Sequence, residues 1–270
     1  MKNVFFLLLI VISPSVFGQY HNTLSKSEIG VIAGGSSYIG ELNPFAPYKG
    51  VHLAGGIVYR YNINSRLSFR MNAIYGTLSG DDANAKELVY QQRNLNFKTS
   101  LFEAGLGLEF NYFPFQLGHD RYKGSMYLLF ELAYFRINPK TIYDGADVEL
   151  RTIGTEGQGT SQNSKGIYSR DQISIPIGVG AKLSLGEKVG MSFEIGVRKT
   201  FTDYIDDISS SVYVDPVLLA QENGATAAAL SNRSNSVFGQ RGDASNKDWY
   251  IFGGIMLTIS MGDPSSCYSH

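Results

Sequence analysis

A single cysteine, Cys267, means that no internal disulfide can staple this chain. It falls in a tail after the last predicted strand, where a free thiol is a simpler expectation than a bridge between chains. Beyond the first residues no stretch reaches the roughly 18 consecutive apolar residues that a spanning helix needs, which excludes transmembrane helices. Only 17% of the residues are charged and the formal net charge is −1, so nothing points to nucleic acid as a partner. Histidine is scarce as well: His21, His52, His119 and His270 are the four present. There is no His-x-x-x-His pair, no Gly-x-Ser-x-Gly and no glycine-rich loop before a helix. A nucleophilic triad would need His52 with a nearby serine and acid, a set the sequence does not offer. No enzyme, cofactor or metal site is therefore expected.

Aromatic residues, glycine and a short apolar leader are what the chain does contain. Met1 and Lys2 precede an apolar run from Val4 to Val16, and Val16-Phe17-Gly18 stands before Gln19. This pattern predicts a secretory signal peptide over residues 1–18, cut after Gly18. The run is shorter than the roughly 20 residues of a membrane anchor. No cysteine follows the cut, so no lipid anchor is expected. Hydrophobic residues make up 43% of the chain, with 17 Tyr, 16 Phe and 30 Gly. That mixture suits a β-barrel with aromatic girdles and a crowded interior.

The stretch from Ile173 to Lys199 sets the fold class. Ile173, Ile175, Ile177, Val179, Ala181, Leu183 and Leu185 alternate with Ser174, Pro176, Gly178, Gly180, Lys182 and Ser184. After Gly186–Gly190, Met191, Phe193, Ile195 and Val197 alternate with Ser192, Glu194, Gly196 and Arg198. Strand side chains alternate between faces, so this is a hairpin with one apolar wall and one wall of small and charged residues. A lipid-facing barrel turns the first wall outward. Six further alternating runs are predicted, at Glu28–Ser36, Val51–Tyr61, Arg66–Leu78, Ser100–Tyr112, Ser125–Ile137 and Asp248–Ser260. The links between the runs are short and long in strict alternation. The expected fold is all-β: an eight-stranded antiparallel transmembrane β-barrel over residues 28–260, with short periplasmic turns and long extracellular loops. Residues 19–27 form a periplasmic N-terminal segment and 261–270 a periplasmic tail, in the outer membrane of a Gram-negative bacterium. The long loops are rich in Gly, Ser and Asn, as in Gly154–Gly166 and Asn223–Asn235, and are expected to be mobile.

On the same parity the lumen receives Arg60, Arg70, Lys182 and Arg198, together with Glu103, Glu109, Glu131 and Glu194. Charges facing a narrow, low-dielectric interior must pair with one another, so the expectation is a structural plug of ion pairs. A gated proton or ion path is the sharper alternative. Eight strands enclose room only for side chains, which disfavours an open pore. Asp203, Asp206 and Asp207 could bind Ca²⁺, but solvated loop carboxylates are the simpler expectation. Arg241-Gly242-Asp243, the tripeptide that integrins read, more simply makes a turn before the last strand.

Three segments carry a family resemblance: Tyr38-Ile39-Gly40-Glu41-Leu42, Phe201-Thr202-Asp203-Tyr204-Ile205-Asp206-Asp207, and Gln240-Arg241-Gly242-Asp243 with Lys247-Asp248-Trp249-Tyr250. Together they resemble the PorG-like outer-membrane barrels of Bacteroidetes, which belong to the type IX secretion apparatus. The resemblance spans about Glu28 to Ser260. It implies a non-enzymatic barrel that couples periplasmic partners, a lipoprotein ring and its associated protein, to the outer membrane. Its other contact would be outer-membrane lipid, and no catalytic residues come with it. The alternative is an OmpA-like surface barrel whose long loops bind ligands or host surfaces.

Overall fold

The computed structural model describes residues 26–42, 50–234 and 240–261. The signal peptide, His21, Cys267 and His270 lie outside the described residues, as does the tail after Met261. Ten strands form: β1 (Ser27–Ile39), β2 (His52–Asn62), β3 (Leu67–Asp81), β4 (Asn96–Asn111), β5 (Gly124–Ile137), β6 (Lys140–Tyr143), β7 (Ala146–Glu149), β8 (Asp171–Ser184), β9 (Val189–Thr200) and β10 (Trp249–Ser260). Eight of them make a closed antiparallel meander. Each pairs with the next along the chain, β5 pairs with β8, and β1 pairs with β10 to close the barrel. Closure leaves no sheet edge unpaired, which a strand in hydrocarbon requires. The ladder lapses once, between the pairs Phe130↔Ile177 and Ala133↔Ser174. Pro176 sits there and has no N–H to give.

The alternation of side chains holds around the whole wall. Leu53, Ile57, Leu106, Phe130, Leu132, Ile177, Val179 and Ile195 point outward, Leu53 with 91% of its surface exposed. No water-soluble barrel would present so continuous an apolar belt; this is the exterior of a barrel solvated by lipid. Exposed aromatics rim the belt at both ends. Tyr61, Tyr112 and Phe113 stand near the short turns, and Tyr75, Tyr134 and Phe201 near the long loops. Such rings sit where apolar chains meet polar headgroups. Among the described residues no helix is long and apolar enough to cross a membrane. The lumen has an apolar sector of Ile32, Ala54, Val58, Ile74, Phe252 and Met256.

Two expectations need correction. Strands β1, β3 and β4 run past their predicted ends on the long-loop side. There the residues (Ser79, Gly80, Asp81, Asn96, Lys98) no longer alternate between apolar and polar, although the ladder between β3 and β4 continues to Asp81↔Asn96. The long loops are not loose either. They carry β6, β7 and four helices, α1 (Leu88–Arg93), α2 (Leu150–Ile153), α3 (Pro216–Asn223) and α4 (Ala225–Ser231). Leu42, Leu95, Leu150, Ile205, Ile208 and Leu230 join strand-end residues Tyr38, Leu78, Phe97, Phe135 and Tyr250 in one buried cluster. The glycine-rich Gly154–Gly166 starts inside this cap, with Thr155, Glu156 and Gln158 buried. The loops thus form a second packed layer over one mouth of the barrel.

The outward belt gives a direct test. Ile195, mid-strand and exposed, should tolerate arginine in water but not in hydrocarbon. Ile195→Arg is expected to cost about 2–4 kcal/mol of folding free energy in lipid vesicles, measured by denaturant titration of the vesicle-inserted protein.

Candidate functional site

Glycine and small residues on the lumen side make room for long charged ones. A Cβ on Gly180 would lie 2.3 Å from the Tyr127 ring, so only glycine lets that phenol lie across the lumen. All eight charged residues read from strand parity are buried there, together with one that parity in the predicted elements omitted, Glu28. Glu28 is the second residue of β1, and its period-2 neighbours Gly30 and Ile32 also face inward. The signal was present, since the inward set of β1 passes through residue 28. The described lumen therefore holds five carboxylates, Glu28, Glu103, Glu109, Glu131 and Glu194, against Arg60, Arg70, Lys182 and Arg198.

These groups are connected across the barrel. Arg70, with none of its surface exposed, grips Glu194 with both terminal nitrogens; Nη2 donates to Oε1 at 3.1 Å. Its Nε lies 3.4 Å from Glu131 and its Nη1 3.7 Å from Glu109. Arg60 Nε donates to Glu109 Oε2 (2.9 Å), and Lys182 donates to the other oxygen of Glu109. Arg60 also stands 3.7 Å from Glu28. Arg198 Nε donates to Glu103 Oε2 at 3.3 Å. Neutral donors add to the set: Tyr127 to Glu194 (2.8 Å), Tyr250 to Glu103 (2.6 Å), Asn72 to Glu131 (2.7 Å) and Asn62 to Glu28 (2.7 Å). Charges so deep in a low-dielectric barrel persist only when paired and hydrogen-bonded. The arrangement fills the lumen with crossing side chains.

The cap has its own network. Arg93 binds Asp82 through Nε and Nη2, both at 2.7 Å, and donates to the carbonyls of Arg241 (2.5 Å) and Glu41 (3.0 Å). Arg241 pairs with Glu156, which also accepts from the Ser209 and Ser210 amides at 2.9 and 2.7 Å. Arg241 and Gly242 are buried, so the Arg-Gly-Asp tripeptide is not presented as a ligand. Asp203, Asp206 and Asp207, expected as solvated loop carboxylates, are all buried instead. Tyr38 donates to Asp206 (2.6 Å) and Asp248 (2.8 Å). Tyr168 donates to Asp207 Oδ1 at 2.6 Å, and Thr155 donates to its Oδ2. The three aspartates thus do not share one site; apolar Ile205 and Ile208 pull that segment into the cap.

Burial pushes these cap carboxyls up. Asp207 reaches about 7, with Glu156 adding to the rise and Thr155, Tyr168 and Arg241 opposing it. Glu41 reaches about 7, through burial and then the charge of Asp203. Asp203 reaches about 6. Asp206 and Asp248 rise well above the usual carboxylate range, through burial and each other's neighbourhood of acids. His52 faces the lumen near the cap, its Nε2 2.7 Å from Ser79 Oγ. Among the described residues no carboxylate hydrogen-bonds to it, so the third member of a triad is not in place.

A family model described as "Domain of unknown function (DUF6089)" matches residues 2–214. No curated protein matches the sequence. Among solved structures, Neisserial surface protein A is 10% identical with a TM-score of 0.43, covering 88% of this chain and 98% of that one. Ail of Yersinia pestis, solved with the heparin analogue sucrose octasulfate, is 9% identical with a TM-score of 0.41, covering 87% and 97%. The outer membrane protein OprG of Pseudomonas aeruginosa is 10% identical with a TM-score of 0.38, covering 88% and 97%.

Two measurements check this geometry. Arg70→Met leaves Glu194 and Glu131 buried without their counter-ion, and is expected to destabilise the barrel by about 3–5 kcal/mol, read from urea titration in detergent. In the cap, acids with raised values hold protons in the fold that the unfolded chain loses near pH 4. The fold binds more protons across that interval, so cap stability falls as pH rises from about 4 to about 7. Melting followed by the near-ultraviolet signal of the stacked Tyr168–Tyr204 pair should be higher at about pH 5 than at about pH 8. Asp207→Asn should flatten that difference.

Proposed function

The chain belongs to the DUF6089 family, whose description assigns no activity, and from that membership together with the lipid-facing barrel we propose a non-enzymatic, non-conducting anchor in the outer membrane of a Gram-negative bacterium. We assign it to the type IX secretion machinery, coupling a periplasmic lipoprotein ring and its partner to the membrane. The observation that carries the anchor role is the lumen: Arg70, Glu109, Glu131 and Glu194 cross it in contact with one another. A barrel filled in this way supplies a rigid membrane foot rather than a passage, and leaves its two ends to do the work. The resemblance to PorG-like barrels supports the secretion assignment. It fits a topology in which the start of the first strand, Ser27, and the end of the last, Ser260, lie at the short-turn end, here the periplasmic one.

The cap favours a second reading, an OmpA-like surface barrel that recognises ligands with its loops. A folded layer with its own core offers a defined surface, which mobile loops would not.

Extraction in mild detergent with a tag on this chain separates the two. The secretion role predicts stoichiometric recovery of a periplasmic lipoprotein complex, cross-linkable through Cys267. Recovery of this chain alone, with cell-surface binding lost on trimming 138–170, would overturn it in favour of the second reading. Planar-bilayer recordings of the purified barrel are expected to show no steady conductance.

A further inference from the structure

Three carboxylates that are far apart in sequence converge where the cap meets the barrel. Glu41 follows β1, Asp203 follows β9 and Asp248 immediately precedes β10. One oxygen from each lies within 4.8 Å of the others. Two ligands on one calcium ion stand at most about 4.6–5.2 Å apart, twice the Ca–O bond length, so the three oxygens fit around a single ion of that size.

The carboxylates are unequally satisfied. Asp248 accepts from Tyr38 through Oδ1 and from the Ile205 amide through Oδ2. Glu41 Oε1 accepts from the Asp243 amide at 3.2 Å. Asp203 is 3% exposed, yet both of its oxygens lack a hydrogen-bond partner. Lys247 Nζ pairs with Asp203 Oδ2 only at 3.7 Å and makes no hydrogen bond to it, and its side chain is 38% exposed. A buried carboxylate without hydrogen bonds, one oxygen of which lies within 4.8 Å of two other carboxylates, is destabilised unless a cation sits among them. Asp206 adds a fourth acid, because the single Tyr38 proton serves both it and Asp248. Arg93 of the cap spends its side chain on Asp82 and on backbone carbonyls.

We propose that Glu41, Asp203 and Asp248 form a binding site for a hard divalent cation, calcium by preference, that clamps the loops after β1 and β9 to the start of β10. The ligand set is all oxygen, as calcium takes, and its members hang from three segments that can adjust to calcium's flexible geometry. Magnesium, with shorter bonds and a demand for octahedral order, fits the same span less well. The site makes the cap conditional: with the ion bound, the three segments are tied at one point, and without it their negative charges repel.

The test uses the full-length barrel purified in detergent and freed of divalent ions with EDTA. Terbium is the probe, since Trp249 adjoins Asp248 and can sensitise its luminescence, with calcium as competitor. Saturable one-to-one terbium binding, displaced by calcium, is expected, together with calcium-dependent protection of residues 201–248 from protease. Asp203→Asn should weaken binding at least tenfold. It should also protect the loop better than wild type when no ion is present, because it removes a repelling charge. Asp120→Asn, at an exposed short-turn residue, is the control. Heat-modifiable migration on gels reports whether each variant still folds as a barrel. Absence of saturable binding at millimolar calcium, or equal binding by Asp203→Asn and Asp120→Asn, would overturn the proposal. So would an ion-free Asp203→Asn barrel cleaved faster than the ion-free wild type.

Discussion

Lipid on the outside forces the inside of this molecule. Every strand gives alternate residues to hydrocarbon, so the inward set cannot be chosen freely for grease. It must instead fill a bore only a few side chains wide with groups that satisfy one another. The Arg70 guanidinium meets that constraint at the centre. It touches Glu194, Glu131 and Glu109, and through Glu109 it is linked to Arg60 and Lys182. These residues come from β2, β3, β4, β5, β8 and β9, so a single connected set braces six of the eight staves. Coulomb attraction at low dielectric is strong, but so is the penalty of desolvation. What the network secures is therefore register and shape more than net stability, because a slip of one residue would turn every paired charge into lipid.

The bore and the belt were legible in the sequence because one rule generates both. Period-2 alternation places Lys182 and Glu194 inward whenever Ile177 and Ile195 face out, and no tertiary knowledge is needed to see it. Glu28 obeys the same rule, standing two residues before Gly30 and four before Ile32 on the inward set of β1. Strand ends on the long-loop side were not legible by it. Beyond the membrane the ladder from Ser79 to Asp81 continues with its partners, but lipid no longer selects which side chain points where.

The cap was illegible by that rule. Its order rests on contacts across more than a hundred residues, such as Arg93 to the carbonyl of Arg241 and Tyr38 to Asp206, and no local pattern announces them. Composition misled as well. A run such as Asp203-Tyr204-Ile205-Asp206-Asp207 looks solvated until its isoleucine and its neighbours Ile208 and Leu230 are seen to share a core. One warning was available: links as long as 138–170 and 201–248 exceed what a compact domain leaves without structure of its own.

The segments that carry the resemblance meet in that cap. Tyr38, Glu41, Asp203, Asp206, Arg241 and Asp248 come from all three of them, and every one is tied to another or to a shared neighbour. A sequence signature made of buried, mutually bonded residues records a packing requirement. It says that the layer over the barrel mouth is built to one design, and it speaks of the long-loop end rather than the end where the chain enters and leaves. The short-turn end, where Ser27 and Ser260 lie, carries none of these residues. The folded cap and the short-turn end are therefore separate surfaces, joined mechanically by a barrel whose charged bore leaves little room for either end to move without the other.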